Sequence, residues 1–158
     1  MSDKTNAARL CDNAGVEYVL IPYETDDDNV DGKSVAKKLG LWEDEIFKTL
    51  VTIGKSGEIY VFVIPVSGEL DLKKAAKASG EKSIHMLPLK ELLTVTGYVK
   101  GGCSPLGMKK HYPTIFDETI ILLDRITFNA GKVGLQLQLS VVDLNKVLTY
   151  NIAGLLKD

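Results

Sequence analysis

The 158-residue sequence has little of what metal, redox or disulfide-stapled proteins rely on. It holds two cysteines, Cys11 and Cys103, and two histidines, His85 and His111. There is no C-x-x-C pair and no ladder of cysteine spacings, so neither a disulfide framework nor a zinc site is expected. No metal and no cofactor is expected either. Long apolar runs are lacking too: no stretch approaches the roughly 18 apolar residues of a membrane span. The opening MSDKTNAARL is too polar for a secretory leader, so a reduced, cytoplasmic setting without membrane contact is the expectation. Charge of one sign is also in short supply. A net charge of −2 means that any nucleic-acid partner must be met by a local basic patch. Internal repeats, low-complexity tracts and linker-like segments are absent. A single domain over 1–158 follows, long enough to bury a core unaided.

What is present reads as alternating short helices and clustered strands. Ala7, Leu10, Cys11 and Ala14 recur at helical spacing and Gly15 stops them, while VEYVLIPY, 16–23, is strand-like. ETDDDNVD, 24–31, reads as a solvated acidic loop. DGKSVAKKLGL carries Val35, Ala36 and Leu39 on one side of a short helix. FKTLVTI and EIYVFVIP, joined by GKSG, form a hairpin signal. DLKKAAKASG reads as a helix capped by Asp71, EKSIHML as a strand, and PLKELL as a helix opened by Pro88. TIILLD and RITFNAG read as strands. GLQLQL alternates leucine with glutamine, and VVDLNKVL reads as a helix capped by Ser140. The fold class is therefore α/β in the α+β sense: a mixed, mostly antiparallel sheet surrounded by helices.

One segment fits none of these elements. GYVKGGCSPLGMKK, 97–110, packs four glycines, a proline and three lysines into fourteen residues. Gly101 and Gly102 have no Cβ and let another backbone or a ligand come close. Pro105 stiffens the turn and drives Ser104 toward an extended conformation. Successive N–H groups in such a bend can converge on one anion, with Lys100, Lys109 and Lys110 adding charge around it. On pattern alone a bent crossover with solvated lysines fits slightly better. The segment is not the phosphate-binding signature G-x-x-x-x-G-K-S/T, because Met108 follows Gly107.

The order VEYVLIPYE, FKTLV, LKKAAKASG, TGYVKGGCSPLG, GLQLQL and DLNKVL resembles the YbaK/EbsC family of aminoacyl-tRNA deacylases. Relatives of that family include the editing domain inserted in some prolyl-tRNA synthetases. The resemblance implies a compact domain that hydrolyses the ester of mischarged tRNA, most closely cysteinyl-tRNA for proline and also cysteinyl-tRNA for cysteine. Alanyl-tRNA for proline is the second substrate, and prolyl-tRNA synthetase the natural partner. It also implies a site. Lys48 matches the family's pocket lysine and would hold the substrate's 3′ end by charge. Gly101, Gly102, Cys103 and Ser104 would form the donor cradle, with Gly102 among the catalytic positions. Tyr23 matches a tyrosine lining the site, Thr49 stands beside Lys48, and Gln136 stands where the family shows a small polar residue or glutamine. Asp143 matches a family aspartate, although Ser140-x-x-Asp143 also reads as a capping box. Lys100, Lys109 and Lys110 would contact tRNA, joined in one patch by Lys37, Lys38, Lys73, Lys74 and Lys77.

Cys103 is not expected to act as a nucleophile, because nothing adjacent in sequence would activate it. In the cysteinyl-specific subgroup the substrate's own thiol attacks its ester and cyclises, which removes the need for a Ser/His/Asp arrangement. Two other readings stay open. One is a non-catalytic module of the same fold that binds tRNA ends or nucleotides. The other, weaker for want of metal ligands, is a phosphate-ester hydrolase.

Overall fold

A computed structural model describes residues 4–25 and 32–158. Helix α1 (Asn6–Ala14) starts at Thr5, whose hydroxyl accepts from the Ala8 amide, and buries Ala7, Ala8 and Cys11. Strand β1 (Tyr18–Pro22) and helix α2 (Gly32–Leu39) follow. Val35 and Ala36 are the buried residues of α2, as the apolar spacing predicts. The acidic loop of 24–31 lies largely outside the described residues.

The two central strands, β2 (Phe47–Gly54) and β3 (Ile59–Pro65), form the expected antiparallel hairpin, with Phe47 opposite Pro65 and Ile53 opposite Ile59. β3 is a run of apolar residues, Ile59 to Pro65, almost wholly buried because both its faces are covered. Helix α3 (Leu72–Ser79) begins at Asp71, whose carboxylate accepts from the Lys73 and Lys74 amides. Strand β4 (Ile84–Met86) and helix α4 (Leu92–Thr96) lead into the glycine-rich bend.

Strand β5 (Thr114–Asp117) comes before the place where a strand is expected. TIILLD is not a strand: Glu118–Leu122 is a 3-10 helix. Asp117 explains the break, since its carboxylate accepts from the amide and hydroxyl of Thr119 and from the Leu155 amide. That local capping stops the extended chain, and Ile121 and Leu122 end up exposed. Strands β6 (Arg125–Lys132) and β7 (Leu135–Ser140) form the next hairpin. VVDLNKVL likewise departs from expectation. It forms a 3-10 helix, Val141–Lys146, and Ser140 makes no side-chain cap bond. Strand β8 (Asn151–Ala153) ends the list.

The strands build two sheets. One has the order β1-β7-β6 and is antiparallel throughout. The other has the order β4-β2-β3-β5-β8, with parallel pairs β3–β5 and β5–β8. A single parallel bridge, Ile46 to Thr127, joins them. Alternation along β3 sends Val61 and Val63 into a core with Phe116, Phe128, Leu137 and α1. Phe62 and Ile64 point the other way, into a second core with Ala75 and Ala76 of α3. The five-stranded sheet is thus covered by α3 on one face and by the smaller sheet and α1 on the other. No helix among the described residues is long and apolar enough to cross a membrane.

Candidate active site

Where the two sheets meet at the start of β2, they leave a cavity of about 120 Å³. Tyr23, Lys48, Thr49, Gly101, Cys103, Asn129 and Gln136 border its polar part. Val35, Ile46, Phe47 and Val66 supply an apolar wall, so α2 closes one side. Seven separate chain segments converge here, and four of them carry residues that the sequence singled out for a site.

Each arrives by a distinct local cause. Strand alternation gives Phe47 and Thr49 one face of β2 and Lys48 the other, opposite Ile64. The cavity borders all three because it lies at the strand's beginning. Tyr23 follows β1 and is fixed by its amide, which donates to the Gly134 carbonyl at 2.9 Å. Gln136 sits on the central strand of the small sheet, between Ile21 and Asn129. It is buried, against the simple expectation that alternating glutamines face water. Its Oε1 and the Thr49 Oγ1 are buried atoms without a hydrogen-bond partner among the described residues. An acceptor left in that state costs about 1–3 kcal/mol.

Asn129 was not legible as a site residue in the sequence, where RITFNAG reads as plain strand. Its Nδ2 donates to the Gly101 carbonyl at 2.9 Å and to the Lys132 carbonyl at 3.2 Å. Its Oδ1 accepts from the Gly131 amide at 2.6 Å and the Lys132 amide at 3.0 Å. The β6–β7 register shifts between Asn129 and Lys132, so this one side chain holds a bulge and the glycine bend together. The available signal was Asn-x-Gly close to a strand end, a common setting for bulges. Asn129→Asp keeps the acceptor and loses the donor to Gly101. The expected result is a loss of about 1 kcal/mol in stability, measured by denaturant unfolding, together with a raised KM.

Gly131 has φ +99, and a Cβ there would lie 2.7 Å from the Tyr98 ring. Gly102 is buried, and its added Cβ would meet the Val133 nitrogen at 2.9 Å. The bend therefore lies directly on the bulge, backbone against backbone. The Gly102 amide donates to the Val99 carbonyl. This corrects its expected place in the donor cradle: Gly102 allows the close approach but offers its N–H elsewhere. The amides of Gly101 and Cys103 have no acceptor among the described residues.

Other expected residues lie elsewhere. Ser104 is fully buried and its hydroxyl accepts from the Leu106 amide, so it braces its own turn and does not border the cavity. Asp143 borders a different cleft, with Asp12, Tyr18, Arg125 and Ser140, and pairs with Lys146 at 2.8 Å. That cleft is at the far end of the β1–β7 ladder, where Tyr18 faces Leu139, while Gln136 faces Ile21. Asp143 thus joins neither the cavity nor a capping box. Lys100 is exposed, Lys109 reaches the Thr94 carbonyl, and Lys110 borders a groove with Leu10 and Tyr112. Lys73, Lys74 and Lys77 belong to α3 and do not border the cavity, and Lys74 pairs with Asp158.

Burial pushes the Cys103 thiol up to about 12 and the Tyr98 hydroxyl to about 12. A thiol raised by burial stays protonated at neutral pH, and the thiolate is the nucleophile. Cys103→Ala is therefore expected to keep kcat within about threefold, with a pH–rate profile of unchanged shape. Steady-state rates between pH 6 and 9 check this. Among the described residues no group of three or more His, Cys, Asp or Glu could hold a metal ion.

Residues 30–147 match the family described as the aminoacyl-tRNA editing domain. A protein of Enterococcus faecalis named as a candidate Cys-tRNA(Pro)/Cys-tRNA(Cys) deacylase, EbsC, is 47% identical over 137 residues, spanning 87% of this chain and 84% of its own. The fold matches a crystal structure described as a candidate trans-editing enzyme for prolyl tRNA synthetase, with a TM-score of 0.84, 21% identity, and coverage of 99% and 100%. A crystal structure of a hypothetical protein matches with a TM-score of 0.87 at 20% identity, covering 97% of this chain and 100% of that one. With a cavity in the same chain region as the matched domain, and a relative at that level of identity, this chain belongs to the aminoacyl-tRNA editing domain family.

Proposed function

We propose that this protein is a trans-editing deacylase that hydrolyses the ester of cysteinyl-tRNA, cysteinyl-tRNA for proline foremost, as a single domain over 1–158 in the cytoplasm. The reading is supported above all by the cavity at the sheet junction. Its volume of about 120 Å³ can take an amino-acid side chain, and Lys48, Thr49, Gln136 and the glycine bend all border it. The E. faecalis relative's name adds the amino acid.

In this mechanism Lys48 holds the phosphate or ester oxygens of the RNA 3′ end, since an ammonium is a compact charge on a flexible stem. The amides of Gly101 and Cys103 face the carbonyl oxygen where negative charge develops. The substrate thiol loses its proton to solvent and its sulfur bonds to the carbonyl carbon. The bond from that carbon to the ribose oxygen breaks, and that oxygen takes up a proton. The products are the cysteine thiolactone and tRNA with a free terminal hydroxyl. No side chain of the protein forms a covalent bond. The apolar wall of Val35, Ile46 and Val66 shapes the space in which the substrate side chain folds back on its ester. Prolyl-tRNA synthetase is the proposed partner, because a small domain with a net charge of −2 needs help to capture the tRNA.

The test is to give the purified protein cysteinyl-tRNA for proline, cysteinyl-tRNA for cysteine and alanyl-tRNA for proline, with and without the synthetase, and to follow loss of ester. Rapid loss of the two cysteinyl esters is expected. Loss of the alanyl ester alone would move the substrate to alanine, and no loss of any ester would leave a binding module of this fold.

A further inference from the structure

The β6–β7 hairpin end is pinned beside the cavity, and it carries a cation that the sequence did not single out. Lys132 ends β6 and is exposed. The Asn129 side chain accepts from its amide at 3.0 Å and donates to its carbonyl at 3.2 Å. That same side chain donates to the Gly101 carbonyl and borders the cavity. The hairpin end also lies against the glycine bend, since a Cβ on Gly102 would be 3.3 Å from the Lys132 Cα. Lys132 does not itself border the cavity, but its backbone is tied to the bend whose Gly101 and Cys103 do.

The charges on this side suit an anion. Among the described residues no carboxylate borders the cavity, whereas Lys48 does. Lys100 precedes Gly101 in the bend and is exposed. Neither it nor Lys132 has an ion pair or hydrogen bond among the described residues. Three lysines from three chain segments therefore stand at the border or beside it. Glu24 next to Tyr23, and Glu45 next to Ile46, reach the border on other segments. A lysine is a compact charge on a flexible four-carbon stem, suited to a phosphate that it meets from one side.

The ligand follows from what must leave the cavity. The ester carbonyl is joined to a ribose, and the next group along the RNA is a phosphate. We infer that Lys132, beside Lys100, holds a backbone phosphate of the single-stranded 3′ end of the aminoacylated RNA. The inference rests on the deacylase reading above and names where the RNA strand leaves the cavity: over the bend and the β6–β7 hairpin end. Because one Asn129 side chain holds both Gly101 and Lys132, the backbone at the ester and the cation at the phosphate keep a fixed separation. Such a contact positions the strand and reads no base.

The experiment measures deacylation of cysteinyl-tRNA for proline over a salt series by wild type, Lys132→Ala, Lys132→Glu and Lys77→Ala, with thermal unfolding of each. It is repeated on tRNA in which each linkage near the 3′ end is in turn a neutral methylphosphonate. Lys132→Ala is expected to lower kcat/KM by about two- to fivefold, the worth of one exposed ion pair. Lys132→Glu should lower it by about tenfold, because attraction becomes repulsion. Both losses should appear in KM, with kcat and melting temperature unchanged. The slope of log kcat/KM against log salt should fall by about 0.7–1 in Lys132→Ala. One methylphosphonate should slow wild type and cost Lys132→Ala nothing further, since the contact is already lost. Lys77→Ala, on α3, should behave as wild type.

An unchanged salt slope, with every methylphosphonate costing Lys132→Ala as much as wild type, overturns the inference and leaves the deacylase standing. A loss in Lys132→Glu seen only when prolyl-tRNA synthetase is added also overturns it, and moves Lys132 to a protein interface. An equal loss in Lys77→Ala does so as well, since the effect is then one of net charge. Wild type inactive on the aminoacyl ester at every salt concentration removes the deacylase reading itself.

Discussion

Replacing Lys48 by Ala is expected to lower kcat/KM for the aminoacyl ester by about 10²–10³, the loss typical of removing one preorganised charge-stabilising group. Thermal unfolding should stay within about 2 °C of wild type. The contrast follows from the residue's surroundings. Lys48 is half-buried, borders the cavity and makes no ion pair or hydrogen bond among the described residues. Its removal therefore breaks no bond inside the protein. A charge kept on a central strand without a partner has its effect on a ligand. Repeating the assay over a salt series distinguishes the role further: if Lys48 meets one phosphate, the slope of log kcat/KM against log salt falls by about 1 in Lys48→Ala. Wild-type activity in the variant, or an unchanged slope together with a large loss of stability, would assign Lys48 to folding.

Gly102→Ala is the second large effect, and here stability and activity should fall together. The new Cβ would lie 2.9 Å from the Val133 nitrogen and 3.2 Å from the Lys132 carbonyl carbon. Both are backbone atoms held by the Asn129 clamp, so no flexible side chain can swing aside. Overpacking of this kind costs about 1–3 kcal/mol, which for a chain of this size is a drop of roughly 2–10 °C in melting temperature. The bend has to move away from the bulge, and the Gly101 and Cys103 amides move with it. A displacement of about 1 Å at reacting groups can cost 10²-fold in rate. Denaturant unfolding and kcat measured on the same sample check both halves. Gly102→Ala with normal stability and normal kcat would show that the bend can relax without moving its donors.

How much of this was legible beforehand varies along the chain. The β2–β3 hairpin and helices α1 and α3 were readable because their signals are local: period-two apolar runs around a glycine turn, and apolar residues three and four apart behind a capping residue. TIILLD misled because an apolar run says nothing about Asp117, whose carboxylate closes a 3-10 turn and reaches across to Leu155, thirty-eight residues away. Ser140 and Asp143 have the spacing of a capping box, yet Asp143 bonds Lys146. Two acceptable short-range bonds competed, and the 3-10 geometry favoured the second. Cys103 was read as non-nucleophilic from its neighbours in sequence. The reason that holds in space is burial, which keeps the thiol protonated.

The sequence by itself determined most element types, TIILLD and VVDLNKVL apart, the α+β class and, through the motif order from FKTLV to GGCSPLG, the family. These depend on contacts between residues a few positions apart, or on side-chain identities that need no coordinates. Tertiary structure alone decided which of the marked residues share a cavity. It joined Lys48, Thr49, Gly101 and Gln136 through a single bridge between two sheets, added Asn129 as the clamp, and sent Ser104 and Asp143 elsewhere. The physical reason is that a site is a coincidence of long-range packing. Strand alternation fixes which way a side chain points, but only the docking of one sheet on another fixes what it meets.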